Sequence, residues 1–288
     1  MDWLNGVIVF MCILFGLFLY RKLNPRQKEY FSQKSPFILR QNNEVYDPFY
    51  LEYYDDLHAT KSYCDDDFLY IKKSTNPTTQ KSTFLDIGCG TGILLQTLKE
   101  NGFTAVGVDK SKHMEEACIK SSMEVKCDDV LLDPMLYENK TFSHITCTHF
   151  TIYEMENKET LLKHCFNWLQ CGGYLIVHLV DPDSFKKVLP SLYNSTLSTA
   201  AVTKSNLEYN NFTYRGEFKP GSSIFSETFT DKFTENVRQN QMTLFMEPKQ
   251  TILDKAMKCG FVIHGEMVYT QDPHQFLVVL VKPMCGEY

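Results

Sequence analysis

The stretch Thr83-Phe84-Leu85-Asp86-Ile87-Gly88-Cys89-Gly90-Thr91-Gly92 decides how the rest of the chain is read. A short strand, residues 83–87, runs into a turn with glycine at alternate positions. A helical pattern from Gly92 to Asn101 follows, and Gly102 ends it. Glycines at such a bend let the backbone pass close to a ligand and supply conformations that a side chain blocks. The helix start beyond them presents unpaired N–H groups to an anionic group. A second strand, residues 104–108, ends at Asp109, seventeen residues after Gly92. A carboxylate there accepts both hydroxyls of a ribose, each charge-assisted bond being worth about 1.5–3 kcal/mol.

A strand, glycine loop and helix of this kind fit a nicotinamide dinucleotide as well as S-adenosylmethionine. Two details separate them. The dinucleotide fingerprint G-x-G-x-x-G would place its last glycine at position 93, which is Ile93, whereas the spacing here is G-x-G-x-G. Asp86 stands just before the loop, where a carboxylate repels a pyrophosphate and attracts the ammonium of a methionyl group.

Outward from the loop the alternation continues. Residues 112–121 read as a helix, 124–127 and 142–148 as strands, and Lys158 to Gln170 as an amphipathic helix stopped by Gly172-Gly173. Tyr174 to Val180 is a continuous apolar run, the mark of a strand covered on both faces. Between about 183 and 250, FTYRGEFK, SIFSETFTDKF and VRQNQMTLFMEP alternate polar and apolar residues and predict an antiparallel β insertion. A helix over 252–258 and strands at 261–263 and 276–281 predict a terminal hairpin on the sheet edge. The expected fold is α/β: a doubly wound, seven-stranded, mostly parallel sheet with a terminal antiparallel hairpin and an antiparallel insertion after strand five.

Ahead of this domain, Trp3 to Tyr20 is an uncharged run, long enough as a helix to span about 27 Å against a hydrocarbon core of about 30 Å. Arg21, Lys22 and Arg26 follow it directly, so the positive-inside bias leaves the rest of the chain cytosolic. The expected division is a transmembrane helix at 3–20, a polar linker at 21–45 and one catalytic domain at 46–288. The 288 residues are 43% apolar, enough for a core, and carry a net charge of −6, which argues against nucleic acid as a partner. The ten cysteines form no C-x-x-C pair and read as reduced thiols in a cytosol-facing domain. No metal-ligand constellation is present.

FLDIGCGTG followed by VGVD resembles motif I and the second motif of class I S-adenosylmethionine-dependent methyltransferases, and the chain from about Tyr46 to Pro283 looks most similar to their UbiE-like, type 11/25 group. The resemblance implies S-adenosylmethionine as cofactor. It implies that Asp86, Gly88, Gly90 and Gly92, with Cys89 between them, line the methionyl part, and that Asp109, followed by Lys110, holds the ribose. Asp128 would reach the adenine amine, while its neighbour Asp129 reads as a solvated loop charge. His149 and Phe150 match the position that closes over the cofactor. Tyr54 lies in a stretch, Asp47 to Leu57, that resembles a cap helix touching the cofactor carboxylate. The insertion falls where such enzymes build their substrate cover.

Methyl transfer from a sulfonium needs a base only if the acceptor must lose a proton. His149, Tyr153, His178 and Asp181, near the ends of strands four and five, are the candidates, and the sequence assigns none of them. Cys147-Thr148-His149-Phe150 stands where amide and nucleobase methylation would want N/D-P-P-Y/F. The expected acceptor is therefore a small-molecule or lipid-like compound. The rival readings are a catalytically silent, membrane-tethered S-adenosylmethionine-binding module and an NAD-dependent oxidoreductase.

Overall fold

A computed structural model describes residues 35–58, 60–184, 204–218, 223–270 and 272–284, with the isolated positions Trp3, Val7, Met11, Phe15, Gln33 and Gly286. Residues 35–288 form one compact unit. The expected membrane helix at 3–20 lies outside the described residues, except for four helical positions. Among the described residues no helix is long and apolar enough to cross a membrane.

The unit carries two sheets. The elements in chain order are β1 (Phe37–Gln41), α1 (Pro48–His58), α2 (Thr60–Thr75), β2 (Thr83–Ile87), α3 (Ile93–Glu100), β3 (Thr104–Asp109), α4 (Lys112–Lys120), β4 (Val125–Cys127), β5 (Phe142–Cys147), α5 (Lys158–Trp168) and β6 (Leu169–Val180). There follow β7 (Lys204–Glu208), β8 (Phe212–Phe218), β9 (Ile224–Asp231), β10 (Val237–Thr243), α6 (Lys249–Lys258), β11 (Val262–Tyr269) and β12 (Asp272–Val281).

The larger sheet has the order β11-β12-β6-β5-β2-β3-β4. The pairs β6–β5, β5–β2, β2–β3 and β3–β4 are parallel. β12 is antiparallel to both β6 and β11. The sheet is thus mixed, which amends the mostly parallel expectation: the chain turns from β11 through a tight reversal and can re-enter beside β6 only in the opposite direction. The buried runs of β2 and β6 fit strands covered on both faces. Phe84, Ile176, Leu277 and Val279 meet Leu94 and Leu98 of α3 and Phe68 and Ile71 of α2 in the core on one side.

α5 begins at an Asn157 cap that accepts the Thr160 N–H at 3.0 Å. It ends at Trp168, two residues before the expected stop. The chain passes straight into β6, so Gly172 and Gly173 are strand residues rather than a helix terminator.

The second sheet, β1-β10-β9-β8-β7, contains the expected insertion strands in antiparallel pairing. It also contains a strand from the stretch expected to be a linker: β1 pairs in parallel with β10, Phe37 opposite Val237 and Gln41 opposite Gln241. Residues 21–45 are therefore not a linker throughout. Phe37, Leu39 and Gln41 are exposed and alternate with half-buried Ile38 and Arg40, as on an edge strand. The inner face of this sheet packs on α1 through ring contacts, Phe49 on Phe229 at 5.4 Å and Tyr53 on Phe212 at 4.8 Å. Arg238 of β10 is buried and ties three segments together: it donates to Asp47 Oδ2 (2.6 Å), to the Val45 carbonyl (3.0 Å) and to Asn240 Oδ1 (2.9 Å). α1 is thus clamped between the second sheet and the ligand end of the first.

Candidate functional site

The carboxyl ends of β2 and β3 and the segment after β5 open on a cavity of about 290 Å³, where open α/β sheets bind ligands. The glycine bend forms one wall. Gly88 has φ +66, and a Cβ there would collide with Thr151; Gly92 has φ +82 and caps α3 with no side-chain bond, leaving the helix start clear. The bend is fastened on both sides. Gly90 N–H donates to Asp109 Oδ2 at 3.0 Å, and Thr91 O–H donates to Asp55 Oδ1 of α1 at 2.7 Å.

Asp86 and Asp109 supply the charge. Asp109 also accepts the Ser111 N–H on Oδ1 at 2.8 Å, so both oxygens are oriented by backbone while each keeps a lone pair for a ligand hydroxyl. Burial pushes its carboxyl up from the usual range. Asp86 is 3% exposed, accepts Thr146 O–H at 2.7 Å, and has no lysine or arginine partner among the described residues. Burial raises its carboxyl to about 7. A buried carboxylate on a cavity wall with no lysine or arginine beside it is the complement of a cationic ligand, so the acceptor set fits the ammonium and ribose of S-adenosylmethionine.

The other expected contacts are distributed unequally. Tyr54 reaches the cavity from α1, and burial holds its hydroxyl well above the usual phenol range. Lys110 and Asp128 line the cavity as exposed residues. Asp129, expected to be solvated, is half-buried and also lines the cavity, with Oδ1 accepting the Leu131 N–H at 3.0 Å. Cys89 contributes backbone; its thiol packs with Cys118 and Leu95 under the loop. Cys171 is disulfide-bonded, which corrects the expectation of uniformly reduced thiols. Among the lining residues that escaped the sequence reading are Tyr46, whose hydroxyl donates to Glu154 at 2.8 Å, and Glu154 itself. They are 108 residues apart, and no local pattern links them.

The four base candidates separate clearly. Tyr153 is fully buried, its hydroxyl accepting the Val180 N–H at 2.8 Å and lying 3.5 Å from the Val180 carbonyl, so it fastens β6. His178 accepts the Phe150 N–H on Nδ1 at 3.2 Å and lies 3.1 Å from Gln275 Oε1 through Nε2. With both nitrogens engaged and burial lowering its pKa to about 3, it stays neutral. Asp181 is about half exposed beside His274 and lines neither cavity described here. His149 alone stands in the cavity wall with 20% of its side chain exposed. It and Phe150 adopt φ +54 and +71, a conformation costing a non-glycine residue about 1–3 kcal/mol and characteristic of functional sites. His149 and Tyr54 also border a second chamber of about 40 Å³, otherwise lined by His58, Tyr63, Phe150, His178 and Gln275.

An open α/β sheet with an acidic, glycine-floored cavity at its carboxyl edge defines a Rossmann-like nucleoside-binding protein. Over residues 57–247 the sequence matches the methyltransferase domain family, and the chain belongs to that family. Its fold is shared with an S-adenosylmethionine-dependent methyltransferase from Clostridium acetobutylicum ATCC 824 (TM-score 0.59, 17% identity, covering 81% of this chain and 97% of that one). It is shared also with the CcbJ methyltransferase from Streptomyces caelestis (TM-score 0.62, 13% identity, 84% and 99%). By sequence the chain is similar to the cypemycin N-terminal methyltransferase of a Streptomyces species, 32% identical over 109 residues, 36% of this chain and 44% of the relative. It is also similar to the ubiquinone biosynthesis O-methyltransferase of Coxiella burnetii (strain Dugway 5J108-111), 23% identical over 141 residues, 46% and 58%. The chain spans about half the length of these curated relatives.

Proposed function

We propose that this protein is an S-adenosylmethionine-dependent methyltransferase acting on a small-molecule or lipid-like acceptor, held at a membrane by residues 3–20 with its catalytic domain on the cytosolic side. The observation that carries the reading is the pair of carboxylates flanking the glycine bend, Asp86 buried with no lysine or arginine partner among the described residues and Asp109 braced by two backbone N–H groups. Bound there, S-adenosylmethionine supplies a methyl group on a sulfonium whose departure leaves a neutral thioether, so no general acid is required. Asp109 orients the ribose, Asp86 attracts the ammonium, and Asp128 stands at the cavity for the adenine amine. Much of the rate then comes from holding nucleophile and methyl carbon in line, a contribution of up to about 7–11 kcal/mol.

The small-molecule acceptor is supported by the name of one relative, an O-methyltransferase of ubiquinone biosynthesis. A quinone or other lipid suits the apolar run at the N-terminus. The test of function is calorimetric titration with S-adenosylmethionine and, separately, NADH. Heat from the first and none from the second is expected; the reverse overturns the reading. Cofactor labelled in the methyl group, incubated with fractionated cell extract, then identifies the acceptor by the fraction that takes up label. Binding without transfer to any fraction would mark the chain as a silent module.

A further inference from the structure

Asp67 is a buried carboxylate whose surroundings the cofactor site does not explain. It sits on α2, fully buried, with Oδ1 accepting the Tyr269 hydroxyl of β11. Its Oδ2 has no hydrogen-bond partner among the described residues, yet lies 3.5 Å from His149 Nε2. That is ion-pair range, slightly long for a hydrogen bond, as is common before a substrate closes a site. Tyr63 stacks edge-on to both His149 (5.6 Å) and Tyr269 (5.4 Å), so the three groups are packed as a unit. His149 Nδ1 has no partner among the described residues, and the ring borders both the main cavity and the small chamber.

Resting on the methyltransferase reading above, we infer that His149 is the catalytic base, with Asp67 and Tyr269 as its positioning residues, and that the acceptor is therefore a nucleophile that must lose a proton: a hydroxyl or an amine. The acceptor's lone pair bonds the methyl carbon while the electron pair of the carbon–sulfur bond stays on sulfur. The acceptor's proton passes to His149 Nδ1, and the imidazolium returns it to solvent, so one proton is released per methyl transferred. Asp67 holds Nε2–H and offsets the imidazolium charge, leaving Nδ1 as the accepting nitrogen. The strained backbone at His149 and Phe150 fixes the ring at the junction of the two spaces.

Charge supports this arrangement. Burial pulls the His149 pKa down, but the close Cys64 sulfur and the Asp67 carboxylate outweigh it and hold His149 well above the usual histidine value. Cys64 lies 3.8 Å from Nε2, and burial pushes its thiol up. The other titratable groups around the ring are Tyr54, Asp55 and His58 from α1, Tyr63 from α2, Asp86 from β2 and neutral His178 from β6. The acid limb of the rate profile therefore follows the raised titration of His149, activity rising as it loses its proton.

The test uses the full chain in two arms. In the first, nitrogen-15 spectra of the histidines are followed from pH 5 to 10 in wild type, Asp67→Asn and Tyr269→Phe. His149 is expected to titrate above the ordinary histidine value, to drop by at least one pH unit in Asp67→Asn and by less in Tyr269→Phe. A His149 titrating at the ordinary value, or unmoved by Asp67→Asn, overturns the inference. In the second, label transfer from methyl-labelled S-adenosylmethionine into extract is read against pH. The Asp67→Asn acid limb is expected to move down with the His149 titration, and His149→Ala to lose about 10²–10⁴-fold in rate at saturating cofactor. Superimposable profiles would exclude the base role. If the extract takes up no label while cofactor still binds, the methyltransferase reading fails, and the spectra still decide the His149–Asp67 pair.

Discussion

At the residue scale, Asp86 sets function against stability. An ordinary aspartate titrates near 3.9, and burial holds this one at about 7. A raised carboxyl disfavours the charged folded form, so this residue's contribution to stability declines as pH rises from about 4 to 7. Cofactor binding has the opposite sign, because the ammonium needs the ionised form. Affinity is therefore expected to weaken as pH falls through 7. Asp86→Asn should raise the melting temperature of the ligand-free protein at pH 8 and weaken S-adenosylmethionine at least tenfold, as loss of a charge-assisted bond of about 1.5–3 kcal/mol implies. Scanning fluorimetry and calorimetry read the two effects. Asp109→Ala should remove most cofactor affinity with the fold intact by circular dichroism, since the Gly90 and Ser111 N–H groups each lose only one side-chain acceptor, which water in the cavity can replace.

At the element scale, the glycine bend and β10 carry the geometry. Gly88→Ala puts a side chain at φ +66 and against Thr151, so the bend must shift. The left-handed conformation alone costs about 1–2 kcal/mol. Cofactor binding should be lost by calorimetry while the circular dichroism of the sheet persists. Arg238 joins β10 to the segment before α1, its charge paired with Asp47 and its remaining donors on Val45 and Asn240. Arg238→Ala leaves those groups unmatched in a buried place and should cost about 3–5 kcal/mol in chemical denaturation. Tyr54 rides on the helix that this clamp holds, so cofactor affinity should fall in the same variant.

At the scale of the whole molecule, the expectation concerns location. If residues 3–20 anchor the chain, the full-length protein should sediment with membranes and resist carbonate extraction, while a chain starting at Ser35 should be recovered in the soluble fraction. Recovery of both in the soluble fraction would remove the anchor. The unit that remains, residues 35–288, is the compact one. It contains β1, which completes the second sheet, so a truncation at residue 45 should expose the edge of β10 and lower solubility.

The sequence by itself determined what depends on neighbours along the chain. The period of the apolar residues gave the strands and helices around Asp86 and Asp109, and the spacing of Gly88, Gly90 and Gly92 gave the bend, because backbone conformation and hydrophobic alternation are local properties. Only the tertiary structure decided which of His149, Tyr153, His178 and Asp181 faces a cavity with a nitrogen to spare, since each lies near a strand end and burial is set by partners far away. It alone brought Asp67 to His149, Tyr46 to Glu154 and Phe37–Gln41 to Val237–Gln241. Such contacts are chosen by how two sheets and six described helices close on one another, and no periodicity in the chain encodes them.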